Sequence, residues 1–186
     1  MKDTWFTSDT HFGHANILEY EKDARQFASI EDMNEALVER WNSVVKPDDV
    51  VYHLGDFCMG RKNIAFAGRL NGKKKLVLGN HDNFDSAEYL QYFDQLFGVI
   101  FWKHKILLSH MPVLKDEERW VMNAHGHLHS DNVQLVEFQN TEGGLVEVTV
   151  NNPRYFNVST EQNNLTPFHS DELIARLEII AALDSE

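Results

Sequence analysis

Four short apolar runs in this chain each end abruptly in a cluster of polar residues, and no other feature restricts the fold as strongly. The runs cover residues 5–8, 50–54, 75–78 and 106–109, and the clusters are Asp9-Thr10-His11, Gly55-Asp56, Gly79-Asn80-His81-Asp82 and His110. Apolar, β-branched runs of this length read as buried strands. Helical patterns lie between them. Ala15, Ile17 and Leu18 mark one; Ser29, with an acid three residues on at Asp32, starts a second. In that second helix Met33, Leu37 and Trp41 share one face, and Lys46-Pro47 marks its end. Residues 64–70 and 87–93 give two more helical segments. This alternation predicts a layered α/β fold. Because ligands bind beyond the carboxyl ends of strands in open α/β sheets, four polar clusters at four strand ends predict one shared site.

Composition narrows what that site can be. With 186 residues, 42% of them hydrophobic, the chain is long enough for one substantial core, and a single domain over 1–186 is the expectation. Neither a leader-like N-terminus nor a membrane-length apolar run is evident, which predicts a cytoplasmic protein without a membrane partner. Cys58 is the only cysteine, so a metal site must be built from His, Asp, Glu and Asn. The net charge of −12 argues against strong binding to duplex DNA, which needs many Lys and Arg against phosphates.

Taken singly, the clusters have plain explanations: Asp9 or Thr10 as a helix cap, Gly55-Asp56 and residues 80–83 as turns. The ordered set is more specific. Asp-x-His, Gly-Asp, Gly-Asn-His-Asp, a strand-terminal His and Gly-His-x-His follow one another between residues 4 and 129. That order resembles the calcineurin-like metallophosphoesterases, in particular the small phage and bacterial members, and Phe156-Asn157-Val158 followed by Pro167 resembles their closing segment.

The resemblance implies a layered β-sandwich of two mixed sheets flanked by helices. It implies two divalent metal ions, one held by Asp9, His11 and His129, the other by Asn80, His110 and His127, with Asp56 bridging them. The activity implied is hydrolysis of phosphodiesters or phosphomonoesters by a hydroxide between the ions. Diesters are favoured, and the expected substrates are nucleotides, nucleic-acid ends or other small phosphorylated molecules. His81 is implied as the group that stabilises or protonates the leaving oxygen. His14, in a Gly-His-x-Asn extension, is implied on the substrate side; Arg61 is one position out of register with the family's phosphate-contacting Arg, and Arg61 or Lys62 is expected to reach the substrate on its own account.

These roles agree with the chemistry of the residue types. A carboxylate such as Asp56 can span two cations roughly 3.5–4 Å apart, a separation that clamps the attacking and leaving oxygens of an in-line displacement. With only Asp9 and Asp56 charged, two divalent ions leave the ligand shell at about +2, or about +1 with a hydroxide, enough to attract phosphate locally. Histidine suits a proton donor at His81 because its ordinary pKa lies near working pH. Imidazole, carboxylate and amide ligands without thiolate suit Mn²⁺ first, with Fe²⁺ or Zn²⁺ as alternatives.

Protein phosphatases of this superfamily carry Gly-Asp-x-x-Asp-Arg-Gly, whereas this chain reads Gly55-Asp56-Phe57-Cys58-Met59-Gly60-Arg61, so that activity is disfavoured. A metallo-β-lactamase reading of His127-Leu128-His129-Ser130-Asp131 fails at Asn132, where His is required. A non-catalytic module of the same fold would show decayed ligands, and here every metal position and His81 are present. Asp82 reads equally as an orienting group behind the site or as a surface turn. His125, His127 and His129 would face one way on a strand, His125 being structural or behind the ligands. Trp102 and Trp120 read as base-stacking or as core. Residues 132–139 and 145–150 read as a hairpin around Glu142-Gly143-Gly144, and 171–183 as a closing helix with Leu173, Leu177 and Ile180 or Ala181 inward.

Overall fold

Each of the four apolar runs contributes a strand. The order of elements is β1 (Thr4–Thr7), α1 (Ile17–Tyr20), α2 (Ile30–Val44), β2 (Val50–His53), a 3₁₀ run (Arg61–Arg69), β3 (Lys73–Val77), α3 (Ser86–Tyr89), β4 (Gln95–Phe97) and β5 (Ile100–Trp102). There follow β6 (Ile106–Leu108), β7 (Met122–His125), β8 (Gln134–Thr141), β9 (Gly144–Asn151), β10 (Tyr155–Asn157), β11 (Phe168–His169) and α4 (Ser170–Leu183). This computed structural model describes residues 2–115, 119–141 and 144–185. Glu142 and Gly143 of the expected hairpin turn lie outside the described residues, while β8 and β9 on either side pair in antiparallel register.

Two mixed sheets with flanking helices form the α/β architecture. One sheet has the order β11-β1-β2-β3-β4, parallel except for the β1/β11 pair. The other has the order β10-β7-β6-β5, parallel except for β5/β6. Period-two alternation along the first sheet sends Phe6 and Val77 against Leu108, Met122 and Phe156 of the second. Trp102 packs into the same layer, its ring edge-on to Phe6 at 5.0 Å. The opposite face of the first sheet, with Val51 and Leu76, packs on α2 through Met33, Leu37 and Trp41. Ser29 caps α2 by accepting the Asp32 backbone N–H at 3.1 Å, as its position ahead of an acid predicts. Trp41 is buried, and its indole N–H donates to the Asn71 carbonyl at 3.0 Å. Truncating a ring held like this costs about 3–5 kcal/mol. On α4, Leu173 and Ile180 are buried and Leu177 packs beside them, whereas Ala181 is exposed.

Three expectations change. Residues 64–70 lie in tight 3₁₀ turns over Arg61–Arg69 instead of an α-helix, and α3 occupies only Ser86–Tyr89 of the longer segment expected. The strand expected through His125, His127 and His129 stops at His125, because His127 and His129 adopt left-handed backbone angles (φ 70° and 50°). Among the described residues, no helix is long and apolar enough to cross a membrane.

Candidate metal centre

The loops beyond β1 and β2 run on side by side after their strands end. Asp9 N–H donates to the Gly55 carbonyl, His11 N–H to Asp56 and Phe12 N–H to Phe57, at 2.9, 3.1 and 3.0 Å. Continued pairing through two polar clusters forces side chains that would alternate to converge, and the backbone bends to permit it. Of nine non-glycine residues with positive φ among the described residues, five are Asp9, His11, Asp56, His127 and His129. Such angles are disfavoured for residues with a Cβ and persist where the surroundings impose them. Glycines supply the remaining room. A Cβ on Gly79 would collide with Asp56 Oδ1, and one on Gly126 with Asp9 Oδ2 and Ser8 Oγ.

The side chains fall into two groups. Asp9, His11 and His129 offer ligand atoms within 4.8 Å of one another, as do Asp56, His110 and His127. Asp56 Oδ2 faces both groups, 3.7 Å from His11 Nε2 and 3.4 Å from His110 Nε2. Asn80 joins the second group, its Oδ1 lying 2.9 Å from His110 Nε2.

Hydrogen bonds behind these side chains decide which atoms face inward. His110 Nδ1 donates to the Leu54 carbonyl at 2.8 Å, and His129 Nδ1 to Glu161 Oε1 at 2.8 Å, so each ring presents Nε2 to the site. Asp9 Oδ2 accepts from the His127 backbone N–H at 3.0 Å and from Ser159 Oγ at 2.9 Å. Its other oxygen, Oδ1, is buried without a hydrogen-bond partner, and so are both ring nitrogens of His11. An orphaned carboxylate oxygen and an unpartnered imidazole in one group, and imidazole, amide and carboxylate lone pairs converging in the other, are what divalent cations satisfy.

Protein charge alone fits these groups poorly. Burial raises the Asp9 carboxyl above its ordinary range despite the nearby His110 and His129, and burial lowers the His11 imidazole well below its own. Asp56 behaves oppositely: burial pushes it up, but the adjacent His110 imidazole and the His81 backbone N–H, which donates to Oδ1 at 2.9 Å, hold it at about 2. Asp56 therefore stays ionised.

Of the residues behind the site, Arg25 and Glu161 had no sequence signal. Arg25 is fully buried, and its guanidinium donates to Glu161 Oε1 (Nε 2.8 Å, Nη2 2.6 Å), to the Thr10 and Asp9 carbonyls and to Thr160 Oγ1. Burial raises the Glu161 carboxyl, but the His129 hydrogen bond and the Arg25 charge outweigh it and hold the group below the usual carboxylate range. Asn157, in the closing segment noted in the sequence, donates to the His129 and Asp131 carbonyls at 3.0 and 2.7 Å and so pins the loop carrying His129. Asp82 is buried, and its two oxygens accept the backbone N–H groups of Asp56, Gly79 and Phe57 at 2.7, 2.9 and 3.1 Å. That makes it a brace for the loop bearing Asp56. His125 is buried, with Nδ1 2.8 Å from the Gly126 carbonyl, and it belongs to neither ligand group.

The residues expected around the substrate are placed differently from one another. His81 is about half exposed, with Nε2 3.9 Å from Asp56 Oδ2 and its ring 5.6 Å from that of His11. His14 is partly buried, its ring 5.3 Å from that of His11. Arg61 points to Glu88, 3.2 Å away, and lies over the Phe84 ring, with Lys62 beside it in a separate surface depression.

With its ligand groups on the loops of two mixed sheets, the chain belongs to the calcineurin-like phosphoesterase family, whose model matches residues 3–176. It is 34% identical over 170 residues to an uncharacterized protein of Methanocaldococcus jannaschii, covering 87% of this chain and 89% of that one. It is 33% identical over 166 residues to the gene 66 protein of Mycobacterium phage L5, covering 70% and 79%. A crystal structure of a protein of unknown function from Aquifex aeolicus superposes with a TM-score of 0.68 at 27% identity, over 94% of this chain and 99% of that chain.

Proposed function

We propose that this protein is a dinuclear metal-dependent phosphoesterase that hydrolyses phosphodiesters in preference to phosphomonoesters, acting on nucleotides or nucleic-acid ends. The observation that carries the reading is Asp56 Oδ2, a single ionised oxygen facing the imidazoles of both ligand groups. Asp9, His11 and His129 would hold one ion, and Asn80, His110 and His127 the other, with Asp56 between them. Mn²⁺ suits this donor set best, with Fe²⁺ and Zn²⁺ next. Ions held there would supply an acidified water as nucleophile and a Lewis acid for the phosphoryl oxygens.

The chain's own residues do the rest. Glu161 and the Leu54 carbonyl fix the tautomers of His129 and His110, and Asp82 holds the loop that aims Asp56. His81, exposed at the mouth of the site with its backbone N–H anchored on Asp56 Oδ1 at 2.9 Å, is suited to give its ring proton to the departing ester oxygen. His14, whose ring neighbours that of His11, contacts the substrate phosphate in this scheme. Arg61 would have to leave Glu88 to do the same. With a net charge of −12, the surface disfavours long stretches of duplex and leaves the site as the local attractor of phosphate.

The test is a metal-reconstituted panel of aryl phosphate monoesters, aryl diesters, cyclic nucleotides and short oligonucleotides. Diesters and oligonucleotide ends should turn over fastest; faster hydrolysis of the monoesters throughout would reverse the preference, and no turnover of any ester would remove the reading.

A further inference from the structure

Beside the second ligand group lies a cavity of about 640 Å³, and the chemistry of its walls is unlike that of the metal centre. Fourteen large hydrophobic side chains are exposed among the described residues, and six of them, Leu78, Val99, Phe101, Met111, Val113 and Leu114, line this one cavity. An apolar concentration of that kind marks a binding surface rather than ordinary scatter. Trp120, buried and set edge-on against Tyr155, forms part of the same lining.

The cavity is preformed. Val113 N–H donates to Asn123 Oδ1 at 2.8 Å, Tyr155 Oη to the Val113 carbonyl at 3.0 Å, and Ser109 Oγ to the Met111 carbonyl at 2.7 Å. Buried Asn123 in turn donates to the Leu107 carbonyl and to Ser109 Oγ, tying that loop to β6 and β7. Asn80 and His110 line the cavity and also belong to the proposed metal ligands, so the cavity borders the second ligand group. A phosphate at the ligand groups would therefore have one of its ester substituents within reach of apolar walls.

We propose that this cavity is a subsite for a flat aromatic ring carried on the phosphate ester, an inference that rests on the phosphoesterase reading for the position of the phosphate. Volume and lining suit such a group: the space is within the range of small-ligand pockets, exposed Phe101 offers a ring contact, and the Met111 thioether packs well on aromatic edges. The shared chemistry is a planar ring held by burial, whether it comes from a nucleobase or from another aryl ester.

The experiment is a fluorescence titration with two probes. One is 1-naphthylmethylphosphonate, which cannot be hydrolysed, added to Mn²⁺-loaded protein beside methylphosphonate; the other is 1-naphthol, added to chelated protein. The naphthyl phosphonate should bind at least about tenfold tighter than the methyl one, the gain expected from burying a ring. Phe101→Ser and Leu114→Asp, both at exposed positions, should each remove most of that advantage and weaken 1-naphthol similarly. Displacement of 1-naphthol by adenosine assigns the ring to a nucleobase, and its absence to another aryl ester. Equal affinity for the two phosphonates, or variants that bind 1-naphthol as wild type does, would overturn the subsite. Variant-sensitive 1-naphthol binding by a protein that hydrolyses no phosphate ester would keep the cavity's preference and reject the phosphoesterase reading instead.

Discussion

Replacing Glu161 with Gln tests whether the buried group behind His129 holds the metal centre in shape. Glu161 and Arg25 side chains are both 0% exposed, joined by contacts of 2.8 and 2.6 Å, and the same carboxylate oxygen takes the His129 Nδ1–H at 2.8 Å. Removing one member of a buried ion pair costs about 3–5 kcal/mol, because the remaining charge stays buried. Here the guanidinium keeps the Asp9 and Thr10 carbonyls and Thr160 Oγ1, which places the cost at about 3 kcal/mol, the lower end of that range. For a chain of this size a loss of that order lowers Tm by roughly 6–12 °C. His129 would keep only a neutral amide oxygen as its orienting acceptor in place of a carboxylate, and Mn²⁺ affinity should fall about 10-fold, the lower end of the range for such partners. Thermal melts followed by circular dichroism, with and without Mn²⁺, together with calorimetric titration of the metal, measure both effects. Adding Arg25→Met to Glu161→Gln should recover part of the stability, since no unpaired charge remains, but not the metal affinity. A single variant that melts within about 2 °C of wild type and binds Mn²⁺ equally well would refute the reasoning.

Three further perturbations read other parts of the molecule. His81→Ala should lower kcat by about 10²–10⁴ on an ester with a poor leaving group and far less on a nitrophenyl ester, with metal content unchanged; equal losses on the two esters would argue against proton donation. Gly79→Ala places a methyl group against Asp56 and should destabilise the fold by about 1–3 kcal/mol while weakening metal binding, as melts and metal titration can show together. Burial pushes the Asp49 carboxyl up, but the N–H donors of Lys46, Asp3 and Trp5 outweigh it and hold the pKa below the ordinary 3.8. Its contribution to stability is thus present above the ordinary value and lost as pH falls through the lower folded one, so melting curves of wild type and Asp49→Asn should converge as pH drops below about 4.

The parts of the molecule legible in the sequence are those specified over a short span. β1, β2, β3 and β6 announce themselves by apolar runs, and Asp9, His11, Asp56, Asn80 and His110 follow closely on them, so each candidate ligand is tied to a strand end by the covalent chain. Ser29 and the Met33, Leu37, Trp41 face likewise define α2 locally. Contacts across the fold leave no such trace. Arg25 and Glu161 are separated by 136 positions, and a lone Arg or Glu in a polar stretch is indistinguishable from solvated charge until the fold buries it. Asp82 reads ambiguously for the same reason: its three N–H partners come from two loops brought together by β2 and β3. The alternate histidines mislead because periodicity assumes extended backbone, and close approach of Gly126 to Asp9 turns the chain out of the strand before His127.

Metal stoichiometry measured against turnover reaches the dinuclear assignment itself. Chelated protein titrated with Mn²⁺ should gain activity on an aryl phosphodiester until two ions are bound per chain, and Asp56→Asn should bind fewer ions and remain inactive. Full turnover by thoroughly chelated protein, a plateau at one ion per chain, or an Asp56→Asn variant as active as wild type would contradict it.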